Sequence, residues 1–110
     1  MSLKIKAVVA GVCIVFASSA SAAELSAQEI LDTHIGKCMT YSGPTTGTQC
    51  YNADGTTTYD DASYGTGAGN WSLQANSLCV KYPREPIDCG PISRAADGQY
   101  TDGSYTWLMN

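Results

Sequence analysis

The sequence predicts an α+β chain that is mostly β: a short N-terminal helix followed by a six- to seven-stranded antiparallel meander, a curled sheet or small barrel with two disulfides. Three observations lead there. From residue 37 onward, turn-forming residues recur roughly every 8 to 12 positions, the spacing of a meander. Between the turns, apolar and polar residues alternate with the period of two that a half-buried strand requires. Four cysteines stand at spacings that set each pair face to face across a hairpin.

The first 22 of the 110 residues differ from the rest. Lys4 and Lys6 precede an uncharged run from Ala7 to Ala17, and small residues follow through Ala23. A basic start, a short apolar centre and a small-residue exit make a secretory signal peptide, with cleavage expected after Ala22. Eleven residues are too few to cross a hydrocarbon core, which takes about 20. The division is therefore a signal peptide over 1–22 and a single small, disulfide-stapled, β-rich domain over 23–110, periplasmic or secreted, with no membrane span. Cys13 lies inside the apolar run and leaves with it.

The formal charge of the whole chain is −4; without Lys4 and Lys6, 4 basic residues face 10 acidic ones, a net −6. Nucleic-acid binding relies on clustered Lys and Arg, so nucleic acid is excluded as a partner. The partner expected is an unknown protein or glycan in the envelope or outside the cell.

The helix is expected over about residues 27 to 35. Ser26 and Glu29 have the S-x-x-E spacing of a capping box, Leu25 and Ile30 that of a hydrophobic staple, and Gly36 suits the exit. Ile30, Leu31 and Ile35 supply its apolar stripe.

The strands come next, with turns expected at Gly43-Pro44, Asn52 to Gly55, Gly65 to Gly69, Ala75-Asn76, Pro83 to Pro86, Ala96 to Gly98 and Asp102-Gly103. The stretch from Tyr59 to Asn70 looks the most flexible. Trp71/Leu73, Leu78/Val80/Tyr82 and Tyr105/Trp107/Met109 give the clearest alternation. A hairpin at Gly43-Pro44-Thr45 puts Cys38 opposite Cys50, on the face away from Met39, Tyr41 and Tyr51. A second at Pro83-Arg84-Glu85 puts Cys79 opposite Cys89, although Cys79 then shares a face with Lys81 and Cys89 with Ile87, which invites a bulge. No C-x-x-C pair occurs, so disulfides are favoured over metal. They matter because residues 23–110 hold only 12 Leu, Ile, Val and Met; seven Tyr and two Trp must supply much of the buried area.

The succession Leu25-Ser-Ala-Gln-Glu-Ile30, Asp54-Gly-Thr56, Gly69-Asn-Trp71, Leu78-Cys79 and Cys89 is similar to a loose group of small exported proteobacterial proteins. These carry a short helix, a DGT turn, a G-x-W strand and a following cysteine pair. The resemblance covers most of 23–110 and implies export and the fold, with almost nothing on activity; the Cys38–Cys50 pair stands outside it. A more distant likeness, confined to Trp71 to Cys89, is to the small periplasmic inhibitors of secreted metalloproteases, which are β-barrels with a strand tryptophan and one disulfide. No inhibitory residue is carried over from it.

Chemistry is sparse. The one histidine, His34, falls near the helix C-terminus, where the dipole favours an imidazolium, so a capping or surface role is expected. Paired cysteines leave no thiolate nucleophile, and no G-x-S-x-G occurs. Asp60-Asp61 beside Tyr59 and Tyr64 reads as a solvated loop. Asn52, Asp54, Asp97 and Asp102 offer hard oxygens, but their spacing is that of Asp-Gly turns and not of a calcium loop. Gly65, Gly67 and Gly69 lack the lysine of a phosphate loop. Neither catalytic residues, cofactor nor metal is expected. The segment Cys79 to Cys89, closed by a disulfide and stiffened by prolines, presents Lys81, Tyr82, Pro83 and Arg84 as a candidate binding loop. The function expected is that of an exported, non-enzymatic binding or structural domain. The alternatives are a protease inhibitor acting through that loop and a carbohydrate-binding module using Tyr59, Tyr64 and Trp71.

Overall fold

A computed structural model describes residues 24–110, so the signal peptide expected over 1–22 lies outside the described residues. Helix α1 runs over Ala27–His34 and starts as its sequence requires. The Ser26 hydroxyl accepts from the Glu29 N–H at 3.2 Å, and Glu29 Oε1 accepts from the Ser26 N–H at 2.9 Å. Both staple residues, Leu25 and Ile30, are buried. Gly36 leaves the helix at φ 82°, where a side chain would be strained.

Nine strands follow: β1 (Lys37–Ser42), β2 (Thr46–Tyr51), β3 (Thr56–Asp61), β4 (Gly65–Gln74), β5 (Ser77–Lys81), β6 (Asp88–Pro91), β7 (Ser93–Arg94), β8 (Tyr100–Thr101) and β9 (Thr106–Met109). β7 and β8 are two residues each, too short to leave any alternation in the sequence. The order across the single antiparallel sheet is β6-β5-β4-β3-β2-β1-β9-β8-β7. Strands β1 to β6 thus form one meander and β7 to β9 another, joined where β9 pairs with β1. The two edge strands, β6 and β7, are consecutive in the chain with only Ile92 between them, so the sheet curls into a nearly closed barrel. The chain entering α1 lies along the β7 side of the seam: the Leu25 N–H donates to the Ile92 carbonyl at 2.8 Å, and Glu24 bridges Ser93. Part of the β7 edge, which would otherwise offer unpaired backbone groups, is thereby covered.

The core lies at the end of the barrel capped by α1, where Leu25, Ile30, Met39, Tyr51, Leu78, Ile92 and Trp107 pack together. Leu31, expected on the helix's apolar stripe, is exposed, and the inward position one turn after Ile30 belongs to His34. His34 is fully buried and not a surface or capping group, because the last turn of α1 faces the barrel floor.

Both disulfides join directly opposed residues, Cys38 to Cys50 and Cys79 to Cys89. The β5–β6 ladder runs from Ser77/Pro91 to Val80/Asp88 in plain register, with no bulge. The expected turn at Gly65 to Gly69 is absent. These residues begin the ten-residue strand β4, and the turn lies at residues 62–64. The reason appears at the inner wall.

Candidate functional site

Along β1 to β5, the inward residues leave the end of the barrel remote from α1 hollow. The cavity measures about 730 Å³. Its floor is the upper surface of the core: Met39, Tyr51, Leu78, Ile92 and Trp107. Its wall carries Tyr41, Gln49, Tyr59, Val80, Tyr82 and Tyr105, and exposed Tyr64, Glu85, Asp88 and Asp102 stand at its rim.

Glycines explain why so many large rings leave a space. Tyr41 pairs across the ladder with Gly47, and Tyr59 with Gly67. A Cβ on Gly47 would strike the Tyr41 phenol, one on Gly67 the Tyr59 ring, and one on Gly69 the Tyr82 ring. Each tyrosine therefore lies across a bare stretch of the neighbouring strand instead of filling the lumen. Alternating Gly65, Gly67 and Gly69 form a strand over which aromatic rings pass closely, and not a flexible loop. The rings meet edge to face: Tyr41 and Tyr105 at 5.4 Å and 89°, Tyr59 and Tyr82 at 5.3 Å and 84°.

Hydrogen bonds fix this wall. Asp61 is 6% exposed, and its two oxygens accept from four donors: Tyr41 Oη (2.6 Å), Thr45 Oγ1 (2.7 Å), Ser63 N (2.7 Å) and Tyr64 N (3.0 Å). These bonds, that from Tyr41 foremost, lower its pKa to about 2. Thr57 Oγ1 donates to the Cys50 carbonyl at 2.7 Å and so presents a lone pair to the Gln49 amide, whose Nε2 donates to it at 3.1 Å and to Tyr82 Oη at 2.8 Å. Burial, reinforced by Asp61 at Tyr41, pushes the Tyr41 and Tyr51 phenols above their ordinary range; burial also raises Tyr82. The hydroxyls of Tyr51, Tyr59 and Tyr105 make no hydrogen bond among the described residues, and Tyr51 is 6% exposed. Among the described residues, four carboxylates line the cavity and no Lys, Arg or His does.

No protein-family model, curated protein or solved structure matches the chain.

The sequence-derived candidates divide around this cavity. In the 79–89 loop, the Tyr82 side chain turns into the lumen, while Lys81 and Arg84 lie outside it. Lys81 Nζ donates to the Tyr82 carbonyl at 2.9 Å, and Arg84 and Pro83 are exposed. A backbone bond from Glu85 N to the Tyr82 carbonyl (3.2 Å), with Arg84 at φ 66°, folds the tip back on itself. Tyr59 and Tyr64 reach the cavity; Trp71 does not, because its indole N–H donates to the Asn52 carbonyl at 2.7 Å, tying β4 to the DGT turn. Asp60 is exposed, whereas Asp61, expected in a solvated loop, is buried as the anchor of Tyr41. Asp54 Oδ1 accepts from Thr56 N (3.0 Å) and Asp102 Oδ1 from Ser104 N and Tyr105 N (2.9 Å each), both as turn caps. Among the described residues, no group of three or more His, Cys, Asp or Glu gathers as a metal site.

Tyr41, Gln49, Tyr51, Tyr105 and Trp107 were not singled out from sequence as site residues. Their signal was available: Tyr41 and Tyr51 fall on the face opposite the Cys38–Cys50 bond, which is the inner face.

Proposed function

We propose that this chain is an exported, non-enzymatic binding domain that takes a small ligand into the open end of the barrel. The observation that carries the reading is the cavity itself: its volume lies within the roughly 300 to 1,000 Å³ of small-molecule sites, and it joins an apolar floor to a few fixed polar groups. Two groups with catalytic chemistry, Asp61 and His34, are already committed. The two oxygens of Asp61 serve four donors, and His34 lies beneath the floor, engaged with Trp107. Export is supported by the basic-apolar-small segment of residues 1–22, and two disulfides are compatible with an extracellular or periplasmic location. Inhibition through the Lys81–Arg84 loop draws less support, because its tip is a tight turn and not an extended, substrate-like segment.

The test is a fragment screen by NMR on the purified domain. Saturable shifts of the Gln49 amide and the Trp107 indole N–H, absent in a lumen-filling Val80→Trp variant that still folds, are expected. Turnover of an ester, peptide or glycan substrate that is lost on a single lumen substitution would overturn the reading.

A further inference from the structure

We propose that the ligand is a small organic ammonium ion, its apolar body resting on the Trp107 floor and its charged nitrogen held among the tyrosine rings and rim carboxylates. The inference rests on the binding reading above and names the ligand class.

Charge gives the first argument. Asp61, Glu85, Asp88 and Asp102 all line the cavity, and no cationic side chain among the described residues does. A concave site lined by one sign of charge concentrates ions of the other sign and repels carboxylates and phosphates. The charge is also uncommitted: Glu85 and Asp88 have no hydrogen-bond or ion-pair partner among the described residues, so a ligand cation displaces only water from them.

The rings give the second. A cation within about 6 Å of an aromatic centroid is attracted by the ring's quadrupole, most strongly once desolvated. Tyr41, Tyr59, Tyr82 and Tyr105 occur as two edge-to-face pairs on the wall. Their arrangement is set by cross-strand glycines and by Asp61, so little ordering remains to be done on binding.

The third argument is a polar atom without a partner. Tyr51 is 6% exposed, belongs to the floor and leaves its hydroxyl unbonded among the described residues. A buried hydroxyl in that condition costs free energy until it finds a partner, and its oxygen can accept from an N–H of the ligand's ammonium group. A sugar finds fewer partners in the wall, because the Gln49 amide nitrogen and Asp61 are both already bonded there and only the rim carboxylates are left to it.

Three soluble probes with one aromatic body decide the matter: phenethylammonium, phenethyl alcohol and 3-phenylpropionate, titrated into the full domain and followed by the Trp107 indole N–H resonance. An oligosaccharide mixture forms a fourth arm. The ammonium is expected to bind roughly tenfold more tightly than the alcohol, with the anion weakest, and its advantage should shrink as salt is added. Glu85→Gln with Asp88→Asn, at exposed positions without internal bonds, should erase most of that advantage and leave the alcohol's affinity unchanged. Equal affinity for ammonium and alcohol, or preference for the anion or the sugars, overturns the ammonium proposal and leaves the binding domain standing. Silence in every arm overturns both.

Discussion

The indole N–H of Trp107 donates to Nε2 of His34 at 3.0 Å, under the floor of the barrel. Because an indole nitrogen can only donate, the bond makes Nε2 an acceptor and leaves the imidazole proton on Nδ1. That proton is given to Thr33 Oγ1 at 2.7 Å, and the Thr33 hydroxyl donates to the Glu29 carbonyl at 2.6 Å. A histidine used in this way has to be neutral.

Stability should therefore fall as the pH drops below neutrality. Burial foremost, with Lys37 adding to it, lowers the His34 pKa to about 4. The side chains facing it are the rings of Tyr51, Tyr100 and Trp107, and none supplies a carboxylate. The unfolded histidine takes its proton near 6.5, the folded one near 4, so the unfolded state binds more protons between those values. Stability lost across that window amounts to as much as about 3 kcal/mol. Chemical denaturation at pH 7, 5.5 and 4.5 measures it. His34→Gln should be less stable at pH 7 but flatter across the series, and an unchanged slope in the variant would show that another group is responsible.

Asp61 acts in a lower window. Its folded pKa of about 2 lies below the ordinary value of 3.8, so its contribution is present above about pH 4 and is lost as the pH falls through 2. Asp61→Ala should lower Tm at pH 7, leaving Tyr41, Thr45 and the 62–64 turn without their acceptor. The gap between variant and parent should narrow as both approach pH 2. A constant gap would mean that the loss is one of packing alone.

Gly67→Ala, a methyl group on a strand, should be costly because Tyr59 occupies the space it needs. Overpacking of this kind costs roughly 1 to 3 kcal/mol. If the cause is the ring, adding Tyr59→Ala should recover part of the loss, a positive coupling in a double-mutant cycle. Additive losses would place the cost in the backbone instead.

These residues also show what the sequence could and could not convey. The helix start was legible because a capping box and a staple are local: Ser26, Glu29, Leu25 and Ile30 lie within six residues. Both disulfides were legible because a hairpin turns spacing into opposition. Closure of the barrel was not, since it depends on β9 pairing with β1 some 65 residues away and on Ile92 joining the two edges. The cavity was missed for a related reason. Gly65, Gly67 and Gly69 look like loop residues until Tyr59 and Tyr82 are known to lie over the last two, and His34 looks like a helix-end cation until Trp107, 73 residues on, is known to face it.

The two disulfides should be alike in stability and unlike in function. They close loops of separation 12 and 10, and the chain-entropy relation assigns each roughly 3 kcal/mol. Non-reduced mass spectrometry of residues 24–110 should find no free thiol, and replacing either pair by serine should lower the denaturation midpoint by similar amounts. Cys38 and Cys50 lie on the outer face, away from Met39 and Tyr51, so their loss should leave lumen binding intact under conditions where the variant is still folded. Cys89 lines the cavity beside Asp88, and fully buried Cys79 anchors it to β5, the strand that carries Val80 toward Tyr82. Cys79→Ser with Cys89→Ser should release this side of the rim and weaken ligand binding several-fold beyond any effect of the Cys38–Cys50 pair. Equal binding by the two folded variants would show that the rim is held by the β5–β6 ladder alone.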